Sequence, residues 1–457
     1  DALRVQNNDS TNYNVAVGFA AGEAVTTGID NTILGGLAGD AITDADYNVA
    51  IGKSSLGTNT VGSHSVAVGR NALFTQNPGS ATNMYNVAVG SDAGKAVTTG
   101  TDNTIVGGLA GDALTDADFN TVVGTAALSA DTLGSRSTAL GYGTLGSQNF
   151  SSATDTYNVA VGHAAGNNVT TGLQNTLIGG SAGDGITTGV RNTALGFNAL
   201  GGAVDDGNYN TCIGSDAGLL TTGSQNCFVG GYDPSTGGSG EAMTTGSKNT
   251  IIGSFTGNMN GLDIRTSSNN IVLSDGDGVH RLTSNTDGNI GIGDTSNVGK
   301  LMVQSNFSLF TGINVKNNNS NNAGAFLNFA NSSDAQAGSI TQNGATGVAF
   351  NTSSDHRLKE NVTYDFDATS RVKQLKPCRF NFIADGTDKV VDGFLAHEAQ
   401  AVVPECVTGT HNEVDDNGDA VMQGIDQSKL VPLLTAALKE AIAKIETLEA
   451  DVKALKG

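Results

Sequence analysis

Residues 13–52 read YNVAVGFAAGEAVTTGIDNTILGGLAGDAITDADYNVAIG and contain one five-residue unit three times, at Asn14, Asn31 and Asn48. The unit consists of Asn or Ser, a β-branched residue, a variable residue, an aliphatic residue and Gly. Short alternating segments with β-branched residues, bounded by turn residues and Gly, are typical of β-strands. A strand this short is not stable by itself, so the pattern predicts that each unit pairs with its neighbours.

The unit occurs fourteen times in the first 255 residues, and only Cys227 breaks its rule at the second position. The copies start at Asn14, Asn31, Asn48, Ser65, Asn86, Asn103, Asn120, Ser137, Asn158, Asn175, Asn192, Asn210, Asn226 and Asn249. Most starts are 17 residues apart, and a larger unit of 72 residues recurs at Asn14, Asn86 and Asn158. Such self-similarity indicates a solenoid in which each coil covers the edge of the next. We therefore predict a repeat β-roll of fourteen coils over residues 1–255.

Two positions of the unit predict local structure. The constant Gly indicates a backbone corner with positive φ, or a close approach between neighbouring coils or chains. The Asn column indicates side chains that hydrogen-bond the local backbone and the next Asn along. The two 21-residue spacings and the segments 54–60 and 76–82 predict loops that protrude from the rod.

The repeat resembles the head repeat of trimeric bacterial adhesins, from residue 13 to about residue 255. The resemblance implies a parallel β-roll in which three chains pack side by side around one axis. We expect the ladder to make sense only in such a trimer.

Residues 256–353 lose the 17-residue period but keep an alternating character rich in Asn and Gly. The phrases NNIVLSDGDG at 269–278 and GNIGIGDTSNVGKLMV at 288–303 are similar to the connecting β modules of phage tail fibres and tailspikes. That similarity implies short β modules threaded three to a shaft. The composition changes again near residue 354, where Gly becomes rare.

The end of the chain carries a heptad pattern. Apolar residues alternate at spacings of three and four: Val431, Leu434, Leu438, Ala441, Ile445, Leu448, Val452 and Leu455. This pattern predicts a helix over 431–455 that forms a coiled coil. Val and Ile at one seam position with Leu at the other favour two strands by themselves, so the seam alone does not predict a trimer.

Four phrases of the last segment carry a second resemblance. They are NTSSDHRLKENV (351–362), LKPCRFNF (375–382), VDGFLAHEAQ (391–400) and QGIDQSKLVPLLTAALKE (423–440). Together they resemble the intramolecular chaperone domain that ends phage endosialidases, tailspikes and tail fibres, over 354–457. The resemblance implies a small α+β domain that trimerises, templates the β shaft and then cuts itself off.

Carried over by position, the resemblance makes Ser354 the nucleophile and Lys359 its base, with scission between Ser353 and Ser354. A Ser hydroxyl needs a base to take its proton, and a lysine serves only where burial or a cationic neighbour lowers its pKa. Arg357 is the candidate neighbour, and Ser353 is a rival nucleophile. Desolvation of the pair on assembly would make cleavage a checkpoint for folding. We expect this single-turnover endopeptidase activity only, with no activity on an external substrate.

Charge and composition limit the partners. The net charge of −21 argues against nucleic acid and anionic membranes, and no apolar stretch approaches a membrane span. With no Trp and 5% aromatic residues, we expect no glycosidase cleft. No cofactor or metal is expected, although two aspartate clusters are either turn residues or Ca²⁺ ligands. The clusters are Asp40, Asp44 and Asp46, and Asp112, Asp116 and Asp118.

The sequence thus predicts a mainly β, homotrimeric protein, a parallel β-solenoid rod followed by shaft modules and the C-terminal domain. Its predicted function is the distal, receptor-binding part of a bacteriophage tail fibre, made in the host cytoplasm and carried in the virion. Predicted partners are a host surface polysaccharide or outer-membrane protein, and other tail proteins bound through a part preceding Asp1. The alternatives are a tailspike polysaccharide depolymerase and a bacterial trimeric autotransporter-like adhesin.

Overall fold

The computed structural model describes most of the chain in two compact units, Asp1–Asn314 and Val315–Gly457. The described residues are 1–6, 11–202, 207–235, 237–292, 301–303, 325–330, 336–343, 347–352, 354–383, 389–415 and 418–457. Strands dominate and helices are few, which confirms the predicted mainly β fold. In these ranges, no helix combines the length and the apolar composition that crossing a membrane requires.

Fifteen strands of the first unit form one parallel ladder, and we call them rungs. They are Val15–Val17, Thr32–Leu34, Val49–Ile51, Val66–Val68, Val87–Val89, Thr104–Val106, Thr121–Val123, Thr138–Leu140, Val159–Val161, Thr176–Ile178, Thr193–Leu195, Thr211–Ile213, Cys227–Val229, Thr250–Ile252 and Ile271–Ser274. Each rung pairs in parallel with the next, residue against equivalent residue. The predicted parallel β-solenoid is confirmed.

The fifteenth rung differs from the prediction, which assigned its residues to the connector. Ile271–Ser274 pairs with Thr250–Ile252, and the backbone N–H of Asn270 donates to Asn249 Oδ1 at 2.9 Å, as in the earlier coils. Ser274 stands where the other units have Gly, so the five-residue pattern stops one copy early. The rod therefore extends beyond residue 255.

Further strands accompany the ladder. Those of the first unit are Gly62–Ser63 with Thr82–Asn83, Gly134–Ser135 with Thr154–Asp155, the hairpin Asn258–Met259 with Leu262–Asp263, and then His280–Ser284, Ile290–Ile292 and Leu301–Val303. Strand His280–Ser284 runs antiparallel to the last rung. Parallel stacking of rungs therefore ends at that strand.

The interior of the rod is filled by the middle residue of each rung and by the opposite wall of the coil. Large middle residues recur 72 positions apart, at Ile33, Ile105 and Leu177, and all three are fully buried. Each faces glycines across the coil: a Cβ on Gly22 would lie 2.8 Å from Ile33 Cδ1. Close packing leaves no room for two large residues at the same level of the rod. A large middle residue and the glycines that face it therefore recur together every 72 residues.

One chain encloses this interior by itself. The buried cluster runs from Ala21 to Val272 and includes residues of every coil. The expectation that the ladder makes sense only in a trimer is therefore wrong for the interior of the rod. Each coil turns back on its own chain, and the hydrophobic contacts form along that chain.

The Asn column forms the predicted ladder of side chains. The backbone N–H of Asn31 donates to Asn14 Oδ1 at 2.8 Å, and that of Asn48 donates to Asn31 Oδ1 at 2.9 Å. Ser65 interrupts the column, and there Gln76 supplies the side-chain acceptor. Asn86 Nδ2 donates to Gln76 Oε1 at 3.0 Å. Buried backbone groups are thus satisfied by neighbouring coils.

The predicted loops are only partly confirmed. Segment 54–60 lies within a coil, because Leu56 and Asn59 are fully buried. In segment 76–82, Gln76 is buried, whereas residues 79–81 are exposed. The four extra residues of the 21-residue spacing therefore protrude only near 79–81, after which Thr82–Asn83 pairs back onto Gly62–Ser63.

Asp131 is a buried carboxylate inside the rod, and it accepts hydrogen bonds from Gln148 Nε2 at 2.7 Å and Gly134 N at 3.0 Å. Burial is the largest effect on its pKa and raises it. A raised folded-state pKa means that the stabilisation is complete at low pH and is lost as pH rises through that pKa. The equivalent residue one large repeat earlier is Asn59, which shows that an amide fits.

We therefore expect Asp131→Asn to stabilise the rod by about 1 to 2 kcal/mol near neutral pH. Thermal unfolding of the variant and the unchanged rod at a series of pH values measures this. The difference in Tm should shrink toward pH 4. A variant that melts lower at pH 8 would contradict the assignment.

The described residues of the second unit include three α-helices, α1 (Ala368–Val372), α2 (Ala396–Gln400) and α3 (Val431–Lys456). Its strands are Ala325–Ala330, Gln336–Asn343, Gly347–Thr352, Cys378–Phe380, Val391–Gly393, Val407–Thr408 and Gly424–Ile425, with 3₁₀ turns at His356–Leu358, Pro404–Cys406 and Gln427–Leu430. A small core around Ala399, Val403 and Cys406 takes in Leu433 of α3. The helix predicted over 431–455 is present, and its coiled coil stays a prediction.

The seam residues of α3 lie on its open side. Leu438 is 61% exposed and Leu448 62%, whereas Leu433 is 3% exposed and packs into the core. Glu440 fixes the helix to the domain, because its carboxylate accepts the N–H groups of Ala368 at 3.1 Å and Thr369 at 3.2 Å. No local sequence pattern predicts this contact, which joins residues 72 positions apart.

Candidate functional site

The predicted catalytic pair lies at the start of the second unit's C-terminal domain, around a single 3₁₀ turn, His356–Leu358. Asp355 caps this turn, and its Oδ1 accepts the backbone N–H of Arg357 at 2.9 Å. An Asp or Asn at this position supplies an acceptor for an otherwise unpaired N–H. The turn reverses the chain within five residues.

Reversal of the chain brings Lys359 back to Ser354. Lys359 Nζ lies 2.7 Å from Ser354 Oγ and donates a hydrogen bond to it. The structure thus brings together the two residues that the sequence singled out. This distance is in the range required between a nucleophile and its base.

Both side chains are exposed in the single chain. Nothing in the described residues of one chain shields the pair from water. A base role for Lys359 requires a neutral amine, which burial favours. Ser354 and Lys359 are therefore placed for proton transfer, but the single chain does not shield them from water.

Arg357 does not take the part that the sequence suggested. Its guanidinium binds the Asp355 carboxylate, with Nε 2.9 Å from Oδ1 and Nη2 2.8 Å from Oδ2. These hydrogen bonds lower the pKa of Asp355, and the charge of Lys359 adds to the effect. The positive charge of Arg357 is therefore paired with Asp355 and is not free to act on Lys359.

The structure describes only some of the other residues at the predicted scission site. Ser353 lies outside the described residues, so its rival role and the bond between Ser353 and Ser354 stay predictions. Thr352 is exposed at the end of strand Gly347–Thr352.

The aspartate clusters on the rod tie consecutive coils together. Asp44 accepts the hydroxyl of Thr27, and Asp46 Oδ1 accepts the N–H of Ile29 at 2.8 Å. Asp116 and Asp118 repeat these contacts one large repeat later. Among the residues that the structure describes, no three His, Cys, Asp or Glu side chains are grouped to hold a metal ion.

Comparison with known families bears on the same segment. Residues 354–408 match the family model described as chaperone of endosialidase. The match begins at Ser354 and includes the capped turn, Lys359, α1 and α2. No curated protein and no solved structure matches the chain. The C-terminal region is therefore similar to this chaperone family.

Proposed function

We propose that the chain is the distal, host-binding part of a bacteriophage tail fibre, a homotrimer that is carried in the virion and processed by its own C-terminal domain. The observation that carries the proposal is the chaperone of endosialidase match, which begins at the serine of the 2.7 Å Ser354–Lys359 pair. A chaperone fused behind a long parallel β rod serves its assembly, because such rods fold slowly and expose strand edges. That family implies assembly as a trimer.

The outer face of the rungs supports the trimer. The first and third residues of each rung point outward, and the third is Val, Leu or Ile in all fifteen rungs. Leu34, Leu195 and Ile252 are 45%, 43% and 47% exposed in the single chain. At about 4.8 Å per rung, fifteen rungs give an apolar strip of roughly 70 Å. A strip of this extent marks a protein interface.

The proposed occupants of this face are two further copies of the chain. Rods in the same register place equivalent aliphatic columns together around one axis, and a closed symmetric ring covers every copy equally. Half-exposed aromatic side chains such as Tyr47, Tyr85 and Tyr157 stand two positions before a rung. Aromatic residues are enriched at protein interfaces.

We expect the double variant Leu140→Glu, Leu195→Glu to prevent trimer formation, because each substitution brings three carboxylates into an apolar interface. Sedimentation measures the mass of the variant beside Thr171→Glu, an exposed position outside the rungs. The control should remain trimeric. A double variant with the mass of three chains would show that trimer formation does not depend on the rung face.

Assembly also bears on the shielding from water that the Ser354–Lys359 pair lacks in the single chain. We propose that trimer formation covers the pair and removes water from it, so that cleavage reports correct assembly. The double variant at Leu140 and Leu195 tests this as well, because it should stay uncleaved although its catalytic pair is unchanged. Complete cleavage of a monomeric variant would refute the checkpoint.

Host attachment is tested with the processed rod itself. Labelled rods are mixed with bacteria on which the phage encoding the chain grows, before and after periodate oxidation of surface glycans or protease treatment of surface proteins. Binding lost after periodate identifies a polysaccharide receptor, and binding lost after protease identifies an outer-membrane protein. Absence of binding to untreated cells would contradict the proposal. Release of reducing ends from the cell surface would instead favour the depolymerase.

A further inference from the structure

The turn between Ser354 and Lys359 is organised by one carboxylate. Asp355 Oδ1 accepts both the backbone N–H and the Nε–H of Arg357, each at 2.9 Å, and Oδ2 accepts Nη2–H at 2.8 Å. His356 Nδ1 lies 3.5 Å from the same Oδ1. Asp355 thus binds Arg357 and lies next to His356, whereas the hydrogen bond to Ser354 Oγ comes from Lys359.

The backbone of the turn depends on this cap. The N–H of Leu358 donates to the Asp355 carbonyl, and the N–H of Lys359 donates to the His356 carbonyl, both at 3.1 Å. Lys359 then leaves the turn in an extended conformation, with φ −125° and ψ 136°. These bonds set the position of the Lys359 Cα, from which the side chain reaches Ser354.

We propose that Asp355 is a positioning residue for the self-cleavage, and that its carboxylate holds Lys359 Nζ against Ser354 Oγ by capping the turn. The inference rests on the proposed function of the Ser354–Lys359 pair. Asp355 takes no proton in the reaction. The pairing with Arg357 lowers its pKa and keeps it a hydrogen-bond acceptor.

The same arrangement occurs where there is no catalysis. In the rod, Asp263 Oδ1 accepts the N–H of Arg265 at 3.1 Å and its Nε–H at 2.9 Å, and Asp263 Oδ2 accepts Nη2–H at 2.7 Å. An Asp followed two positions later by Arg therefore fixes the local backbone in two places of this chain. Asp263 is accordingly a matched control for Asp355.

Two substitutions separate geometry from charge. Asn caps a turn as well as Asp does, whereas Glu keeps the charge but moves the acceptor oxygens by one methylene. In the full-length chain we expect Asp355→Ala and Asp355→Glu to slow cleavage about tenfold or more. Asp355→Asn should restore most of the rate, and Asp263→Ala should cleave like the unmodified chain. Denaturing gels of samples taken over time measure these rates.

The outcomes decide between roles. Fast cleavage with Glu and slow cleavage with Asn would overturn the proposal in favour of the charge, and equal rates in all Asp355 variants would overturn it entirely. Cleavage rates are compared only among variants that have the mass of a trimer. If Asp355→Ala fails to assemble, the comparison of Asp355→Asn with Asp355→Glu decides between the two roles. In uncleaved Ser354→Ala chains, Asp355→Glu should also speed amide exchange at Arg357. Cleavage of Ser354→Ala itself would instead defeat the proposed function.

Discussion

Ser354→Ala is expected to leave one band of 457 residues on a denaturing gel, where the unmodified chain gives bands of about 353 and 104 residues. In the proposed reaction, Ser354 Oγ attacks the carbonyl carbon of residue 353 and gives its proton to Lys359 Nζ. The amide nitrogen of Ser354 leaves with that proton, and an ester forms. Water then hydrolyses the ester and releases a carboxylate at residue 353. Without Oγ the first bond does not form.

Matched variants assign the roles in this reaction. Lys359→Ala and Lys359→Arg should lose at least about a hundredfold in cleavage rate, because arginine does not give up its proton and cannot serve as a base. Ser353→Ala should still cleave. Cleavage that survives in Ser354→Ala and disappears in Ser353→Ala would move the nucleophile to Ser353.

Gly35→Ala is expected to destabilise the rod by about 3 kcal/mol. Gly35 has φ 138°, a conformation that L-residues rarely adopt. A Cβ there would lie 2.7 Å from both the carbonyl carbon and the oxygen of Gly52 in the next coil. Backbone cannot move aside without breaking the ladder, so the cost is strain in two coils.

Gly36→Ala is the matched control for that prediction. A Cβ at Gly36 meets nothing within 4 Å, and the equivalent position of other coils holds Phe19, Lys53 or Arg70. Its effect should stay within about 0.5 kcal/mol. Thermal unfolding of both variants measures the contrast. Equal melting temperatures would show that the glycine column is not a steric requirement.

The sequence predicted the parts of the fold that repeat. Gly and Asn at fixed positions predicted the corners and the side-chain ladder, because each depends on chemistry within one or two coils. The heptad spacing likewise predicted helix α3. The fifteenth rung was missed because Ser274 replaces Gly, although Asn270 follows Asn249 by 21 residues, a spacing already present twice.

Local sequence patterns could not predict other features of the fold. The compensation of Ile33 by Gly22 depends on which residues face each other across a coil, and the contact of Glu440 with α1 joins distant parts of the chain. At the Ser354–Lys359 pair, the resemblance to the chaperone domain predicted the two partners but not the cap. An Asp two positions before Arg was the available signal, since such residues often close local turns.

The proposed assembly and self-cleavage both depend most on the association of three chains. Sedimentation equilibrium of the full-length Ser354→Ala chain, which keeps its C-terminal domain attached, tests this most directly. We expect a particle of three times the chain mass of 46.1 kDa at all accessible concentrations. A particle with the mass of one chain would contradict it.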